Sequence, residues 1–176
     1  YILLVDDEKD IRDLIGQILL DEGHIVKPSH NSTSAMDYIN NEEPSLIILD
    51  IWLKDSEMDG IEILKSVKQN NPLCPVVVIS GHGNIEIAVA AVKQGAYDFI
   101  EKPFNTDQLL LVINRALEAS RLRKEVLSLS NKELYESKMV GETSAFKLLK
   151  QKLDKLMKSN GRILISGSSG SGKEIA

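Results

Sequence analysis

Five short apolar runs punctuate the N-terminal part of the chain. Ile2-Leu3-Leu4-Val5, Leu46-Ile47-Ile48-Leu49 and Val76-Val77-Val78-Ile79 are continuous rather than alternating, the pattern of parallel strands buried on both faces. Ile25-Val26 and the stretch from Tyr97 to Ile100 are weaker. Between the runs, apolar positions recur at helical spacing: Ile11, Leu14, Ile15, Ile18, Leu19; Ala35, Met36, Ile39; Ile61, Leu64, Val67; and Ala88, Ala91, Val92. Gly23 and Gly95 follow two of these segments and suit left-handed helix ends. The order βαβαβαβαβ, followed by a helix from about Asp107, predicts a doubly wound α/β fold with a five-stranded parallel sheet, because crossovers are right-handed.

From Gln108 to about Lys138 the chain has no Gly or Pro, which predicts one long helix. Leu110, Ile113, Leu117, Leu127 and Leu134 fall on a seven-residue seam that Ser120, Lys124 and Asn131 interrupt. Its first turns are expected on the sheet. Beyond Ser120 the seam fits either a short dimeric coiled coil or a solvated linker helix. The pattern resets at Met139, with a helix around Ser144 to Met157, a strand from Ile163 to Ser166, and a Gly/Ser-rich segment from Gly167 to Lys173.

Composition changes this picture little, and charge changes it more. Hydrophobic residues make up 43% and charged residues 27% of 176 residues, which excludes disordered and collagen-like classes. The one cysteine, Cys74, excludes an intrachain disulfide and a Cys-rich zinc site. No apolar run reaches the ~20 residues of a membrane span and no signal peptide is visible, so a cytoplasmic protein is expected. The net charge of −5 is divided: residues 1–107 hold 19 Asp/Glu against 8 Lys/Arg, and residues 108–176 hold 7 against 13. The chain begins at Tyr1 and stops at Ala176 inside a motif, and is expected to be a piece of something longer.

In a doubly wound sheet, ligands bind outside the carboxyl ends of the strands. The residues leaving the strands are Asp6 and Asp7, Asp50, Ser80 and Lys102. Each alone has a plain explanation. An Asp after a strand is usually a turn former or cap, and Asp7 or Asp10 would serve to cap the first helix; Ser80 alone reads as a cap and Lys102-Pro103 as a loop. Together at one edge they describe chemistry. Three carboxylates repel one another without a cation, and Mg²⁺, which keeps several waters, suits a shallow oxygen-lined pocket. Asp50 is then the candidate nucleophile toward a phosphoryl group, with Asp6, Asp7 and Asp50 as metal ligands. Lys102 would pair with a phosphoryl oxygen, and Ser80 would bond one only once the group is present.

The set Leu4-Val5-Asp6-Asp7-Glu8, Ile48-Leu49-Asp50, Val78-Ile79-Ser80-Gly81 and Phe99-Ile100-Glu101-Lys102-Pro103-Phe104 resembles the receiver domain of bacterial two-component response regulators, a flavodoxin-like (βα)5 fold, over residues 1 to about 120. The resemblance implies that Asp50 takes its phosphoryl group from a phosphohistidine on a sensor histidine kinase and that the backbone carbonyl of Trp52 completes the metal site. It also implies that Phe99 is an aromatic switch coupled to Ser80, and that the Lys102-Pro103 peptide is cis. One segment departs from the pattern: Ile51-Trp52-Leu53-Lys54-Asp55-Ser56-Glu57-Met58-Asp59-Gly60 is two residues longer than usual and has no Pro. This loop, with Ser80-Gly81-His82-Gly83-Asn84-Ile85 and Gly95-Ala96-Tyr97-Asp98-Phe99, is similar to the NtrX branch of NtrC-type regulators. His82, near the site, reads as a surface loop residue.

Gly167 to Lys173 fits G-x-x-x-x-G-K, in which Gly167, Gly170 and Gly172 shape a loop whose amides cradle ATP phosphates and Lys173 reaches their oxygens. Glu174 replaces the usual Ser/Thr. That variant, with Val140-Gly141-Glu142-Thr143-Ser144, resembles the start of the AAA+ ATPase domain of sigma-54-dependent activators. The expected organisation is a receiver at 1–119, its last helix continuing as a linker over 107–138, and an ATPase fragment at 139–176. This fragment alone is expected not to hydrolyse ATP, and partners beyond the kinase would be a second copy of the chain through receiver or linker helix, sigma-54 RNA polymerase and DNA, with no membrane. Two rival readings are an aspartyl-nucleophile phosphatase, although the second Asp such enzymes generally need is here Trp52, and a dimerisation module with an inactive pocket.

Overall fold

The structure is a computed structural model that describes residues 1–81, 85–136 and 141–156, with Leu164, Ser166 and Ser168 individually. His82, the glycines expected to cradle phosphate (Gly167, Gly170 and Gly172) and Lys173 lie outside the described residues, as does the expected strand apart from Leu164 and Ser166. Two compact units are present, Tyr1–Glu125 and Val126–Ala176.

The first unit alternates strands and helices: β1 (Ile2–Val5), α1 (Lys9–Asp21), β2 (Val26–Ser29), α2 (Ser32–Asn41), β3 (Leu46–Asp50), α3 (Gly60–Asn70), β4 (Val76–Ser80), α4 (Ile85–Lys93), β5 (Asp98–Glu101) and α5 (Thr106–Glu136), whose distal end runs into the second unit. All strand pairs are parallel, in the order β2-β1-β3-β4-β5. The weak run at Ile25-Val26 thus becomes an edge strand, shifted to include Pro28, whose missing N–H an edge tolerates.

The continuous apolar runs serve both faces because successive side chains alternate. Leu3, Val5, Ile47, Leu49, Val76 and Val78 pack with Ile63, Leu64 and Val67 of α3 and Ala91 of α4. Ile2, Leu4, Leu46, Ile48, Val77 and Ile79 face Ile15 and Leu19 of α1 and Leu109, Ile113 and Ala116 of α5. Burying each such aliphatic side chain contributes roughly 1.5–3 kcal/mol. The helix ends are as expected at Gly23 and Gly95, with φ +81° and +97°.

α5 begins on the sheet, and the predicted seam is only partly its contact line. Leu109, Ile113, Ala116 and Ser120 are buried, whereas Leu110 and Leu117 are half-buried at the margin. Farther along, Leu122, Val126 and Leu129 are exposed at i, i+4, i+7 spacing, on the side of the helix away from Ser120. In the second unit, α6 (Ser144–Leu156) starts at Thr143, whose hydroxyl accepts from the Phe146 N–H at 3.2 Å.

Candidate functional site

The register places the strand ends together: Val5 opposite Leu49, Asp50 opposite Ile79, Ser80 opposite Glu101. One residue beyond β1, Asp6 is therefore beside Asp50, and both are almost fully buried. Single carboxylate oxygens of Asp6, Asp7 and Asp50 lie within 4.8 Å of one another. An all-oxygen donor set of three carboxylates, partly open to solvent, fits a hard dication such as Mg²⁺.

Lys102, the residue after β5, holds this cluster together. Its Nζ lies 2.6 Å from Asp50 Oδ2, 2.8 Å from Asp6 Oδ2 and 3.6 Å from Glu8 Oε1. The Lys102-Pro103 peptide is cis. Burial pushes the Asp6 carboxyl above its usual pKa, against the lowering by Lys102 and by the Glu8 N–H, which donates to Asp6 Oδ1 at 2.9 Å. For Lys102, burial works to lower the pKa, but the hydrogen bonds and charges of Asp50 and Asp6 outweigh it and the net shift is upward. The Lys102 ammonium thus stands as the shared counter-charge of the Asp6 and Asp50 carboxyl groups.

The other oxygen of Asp50, Oδ1, accepts from the Trp52 N–H at 3.0 Å. The Trp52 side chain is about half exposed. Ser80 is fully buried at the end of β4, and its carbonyl accepts from the Lys102 N–H at 2.8 Å, which pins the two strand ends together. Phe99 is half-buried and packs against the core face shared by α3 and α4. Asp7 and Asp10 do not cap α1: its cap residue is Glu8, with no side-chain bond.

Four contributors escaped sequence reasoning. Arg12 Nη1 donates to the Asp6 carbonyl at 2.6 Å, and Glu8 faces Lys102. Lys54, in the lengthened loop, approaches Asp7 at 3.8 Å. Gly60 opens α3 against the backbone of Asp50, where an added Cβ would stand 2.2 Å from the Asp50 carbonyl oxygen. The Asp59-Gly60 pair was the available signal: Asp59 accepts from the Glu62 N–H and Glu62 returns the bond to Asp59, a capping box that leaves the next residue pressed on β3. The long loop is fastened by a reciprocal pair, Ser32 N–H to Ser56 Oγ at 2.8 Å and Met58 N–H to Ser32 Oγ at 3.2 Å.

Comparison with known proteins agrees with this geometry. The sequence profile of the response regulator receiver domain matches residues 2–114. The nitrogen assimilation regulatory protein NtrX of Azorhizobium caulinodans is 51% identical over 175 residues, covering 99% of this chain and 38% of that protein. The crystal structure of the NtrX receiver domain from Brucella abortus is 56% identical with a TM-score of 0.65, covering 67% of this chain and 98% of that one. That of Brucella abortus NtrX in complex with ADP is 49% identical, TM-score 0.70, covering 99% of this chain and 38% of that one. The chain spans 36–38% of the length of the first curated relatives it matches. Acidic strand ends, the bridging lysine, the parallel 2-1-3-4-5 sheet and the profile match over residues 2–114 lead to one conclusion: the chain belongs to the response regulator receiver domain family.

Proposed function

We propose that the chain is the phosphorylation-responsive part of a two-component transcriptional regulator, with Asp50 accepting a phosphoryl group from a phosphohistidine of a sensor histidine kinase. The observation that carries this reading is the position of Asp50: a buried carboxylate with one oxygen held by the Trp52 N–H and the other by Lys102, beside two further carboxylates. Such a group is oriented at both oxygens and paired with a cation, as suits an in-line nucleophile. As an Asp50 oxygen bonds to phosphorus, the phosphorus–nitrogen bond breaks and the electron pair stays with the imidazole. Asp6, Asp7, Asp50 and the Trp52 carbonyl would hold Mg²⁺, which supplies positive charge to the phosphoryl oxygens.

The chain's own residues then do the rest. Lys102, now divided between Asp50 and Asp6, shifts a donor to a phosphoryl oxygen. The Ser80 hydroxyl turns to another, and Phe99 follows into the space beside it. The readout is self-association through the receiver and α5, for which the exposed Ile85, Val89 and Val92 of α4 and the Leu122, Val126 and Leu129 stripe of α5 offer apolar surface. The whole regulator would act in the cytoplasm on sigma-54 RNA polymerase at DNA. Its ATPase domain would bind ATP through Gly167, Gly170, Gly172 and Lys173, a reading supported by the ADP complex of the Brucella relative. Among the described residues no helix is long and apolar enough to cross a membrane.

Beryllofluoride, which imitates a phosphoryl group on a carboxylate, tests the assignment. With Mg²⁺ it should bind saturably and change the emission of Trp52, the one tryptophan of the chain. Asp50→Asn should abolish the response, and equal binding by that variant would refute the phosphoacceptor.

A further inference from the structure

At the opposite end of the sheet from the carboxylates, where β4 and β5 begin, the receiver unit has a cavity of about 300 Å³. Its charged lining is Lys68 from the end of α3 and Arg123 from α5, and no carboxylate is among its lining residues. Residues 1–107, which supply six of the ten lining residues, hold 19 Asp/Glu against 8 Lys/Arg, so a lining free of carboxylates is not a matter of composition there. Leu73, Pro75 and Ala116 supply apolar wall, and the Ser120 hydroxyl donates to the Leu73 carbonyl at 3.3 Å, which leaves its oxygen as a polar point on the α5 side.

Lys68 is built into this place. Gly95, at φ +97°, presents bare backbone to it, and an added Cβ would meet the Lys68 Cγ at 3.3 Å. The ammonium donates to the Cys74 carbonyl, and among the described residues no carboxylate pairs with it. Burial lowers its pKa, and Arg123 pushes the same way. The half-buried Lys68 ammonium and the exposed Arg123 guanidinium, from different elements, repel each other at the cavity, and an anion between them relieves that repulsion and the desolvation of Lys68.

We propose that this cavity binds a small oxyanion, inorganic phosphate or a phosphate monoester, between the Lys68 ammonium and the Arg123 guanidinium, and that the bound anion fastens α5 to the receiver body. The forked guanidinium suits a phosphate with two oxygens, and Lys68 acts as a point charge from the other wall. The site touches α5 from Ala116 to Arg123, around the buried Ser120. An occupied cavity therefore ties α3 and the β4–β5 end of the sheet to the stretch of α5 that leaves the receiver. The receiver's grip on α5 would then depend on an anion as well as on the apolar contacts of Leu109, Ile113 and Ala116. The inference does not rest on the phosphoryl chemistry of Asp50, and its test keeps the two apart.

The 176-residue chain is titrated with inorganic phosphate in EDTA, so that no divalent ion recruits phosphate to the carboxylates, at ionic strength held constant with chloride. Amide resonances of Gly95, Ala96 and Ser120 should move saturably. Arg123→Gln, an exposed helical position, should weaken binding about tenfold or more, and Lys68→Met likewise, while both variants still bind beryllofluoride at Asp50. Glycerol 3-phosphate in a parallel titration separates the sources: tighter binding than phosphate assigns the site to a monoester, equal or weaker binding to the free ion. A linear, unsaturating shift, an equal response to chloride alone, or full affinity in Arg123→Gln would overturn the proposal. Should Lys68→Met fail to fold, the Arg123 variant still decides.

Discussion

Gly60→Ala should damage the site without touching any of its charged groups. An alanine Cβ at this position would lie 2.2 Å from the Asp50 carbonyl oxygen, 2.7 Å from Ile51 Cα and 3.0 Å from the Asp50 carbonyl carbon. Ordinary contact begins near 3.4 Å, so the closest approach is short by 3.4 − 2.2 = 1.2 Å, and all three atoms are backbone that no rotamer change can move. Either β3 shifts at Asp50, or the first turn of α3 lifts and gives up the Gly60 N–H bond to the Ile51 carbonyl at 2.9 Å. Overpacking of this kind costs about 1–3 kcal/mol, and loss of a helix cap adds about 1 kcal/mol. With a urea dependence of about 2 kcal/mol per molar, a loss of roughly 2–4 kcal/mol lowers the unfolding midpoint by about 1–2 M. Trp52 emission reports it within the receiver unit, and beryllofluoride affinity should fall in parallel because Asp50 has moved. Gly16→Ala provides the opposite sign from the same chemistry. Gly16 lies inside α1 with nothing within 4 Å of an added Cβ, so the variant should gain about 0.5–1 kcal/mol. Equal midpoints and equal beryllofluoride binding for Gly60→Ala and the wild type would refute the close approach.

Lys102→Met leaves Asp6 and Asp50 facing each other without their shared cation, which should cost about 2–4 kcal/mol and make Mg²⁺ stabilise the variant more than the wild type. Melting temperatures with and without Mg²⁺ measure this, and equal gains would sink the view of Lys102 as the resting counter-charge. Cys74 gives a pH prediction. Burial pushes its thiol from the ordinary 9 up to about 11, so the folded chain holds a proton that the unfolded chain releases between those values. The stabilisation is complete below pH 9 and is lost as pH rises toward 11, on the order of 2–3 kcal/mol. Urea midpoints at pH 8 and 10.5 should therefore fall more steeply in the wild type than in Cys74→Ala, and parallel slopes would refute it.

Strand ends were legible in the sequence because a parallel sheet aligns them: once Leu49 pairs with Val5, the residues that follow, Asp50 and Asp6, must share an edge. The same reasoning reached Ser80 and Lys102. It failed at Arg12 and Glu8, which reach the site from a helix start, because helical azimuth depends on where the first turn is set, and Glu8 starts α1 without a side-chain cap. The heptad seam failed differently. Ser120 interrupted it as a polar residue, yet Ser120 is buried because its hydroxyl finds the Leu73 carbonyl, a partner 47 residues away that no local pattern contains. The Ser32–Ser56 fastening is of the same kind: hydroxyls satisfy backbone groups wherever the fold brings them, without leaving periodicity behind.

The position of Lys102 gives the acidic site a cation of its own before any metal ion arrives. A cation already stands between Asp50 and Asp6, fixed to the chain one residue past β5. Its effective concentration is set by that tether and is the same in a dilute or a crowded solution. A divalent ion entering here would meet a competitor of constant strength, and an ammonium released from Asp50 and Asp6 would already stand where the proposed phosphoryl group needs a partner.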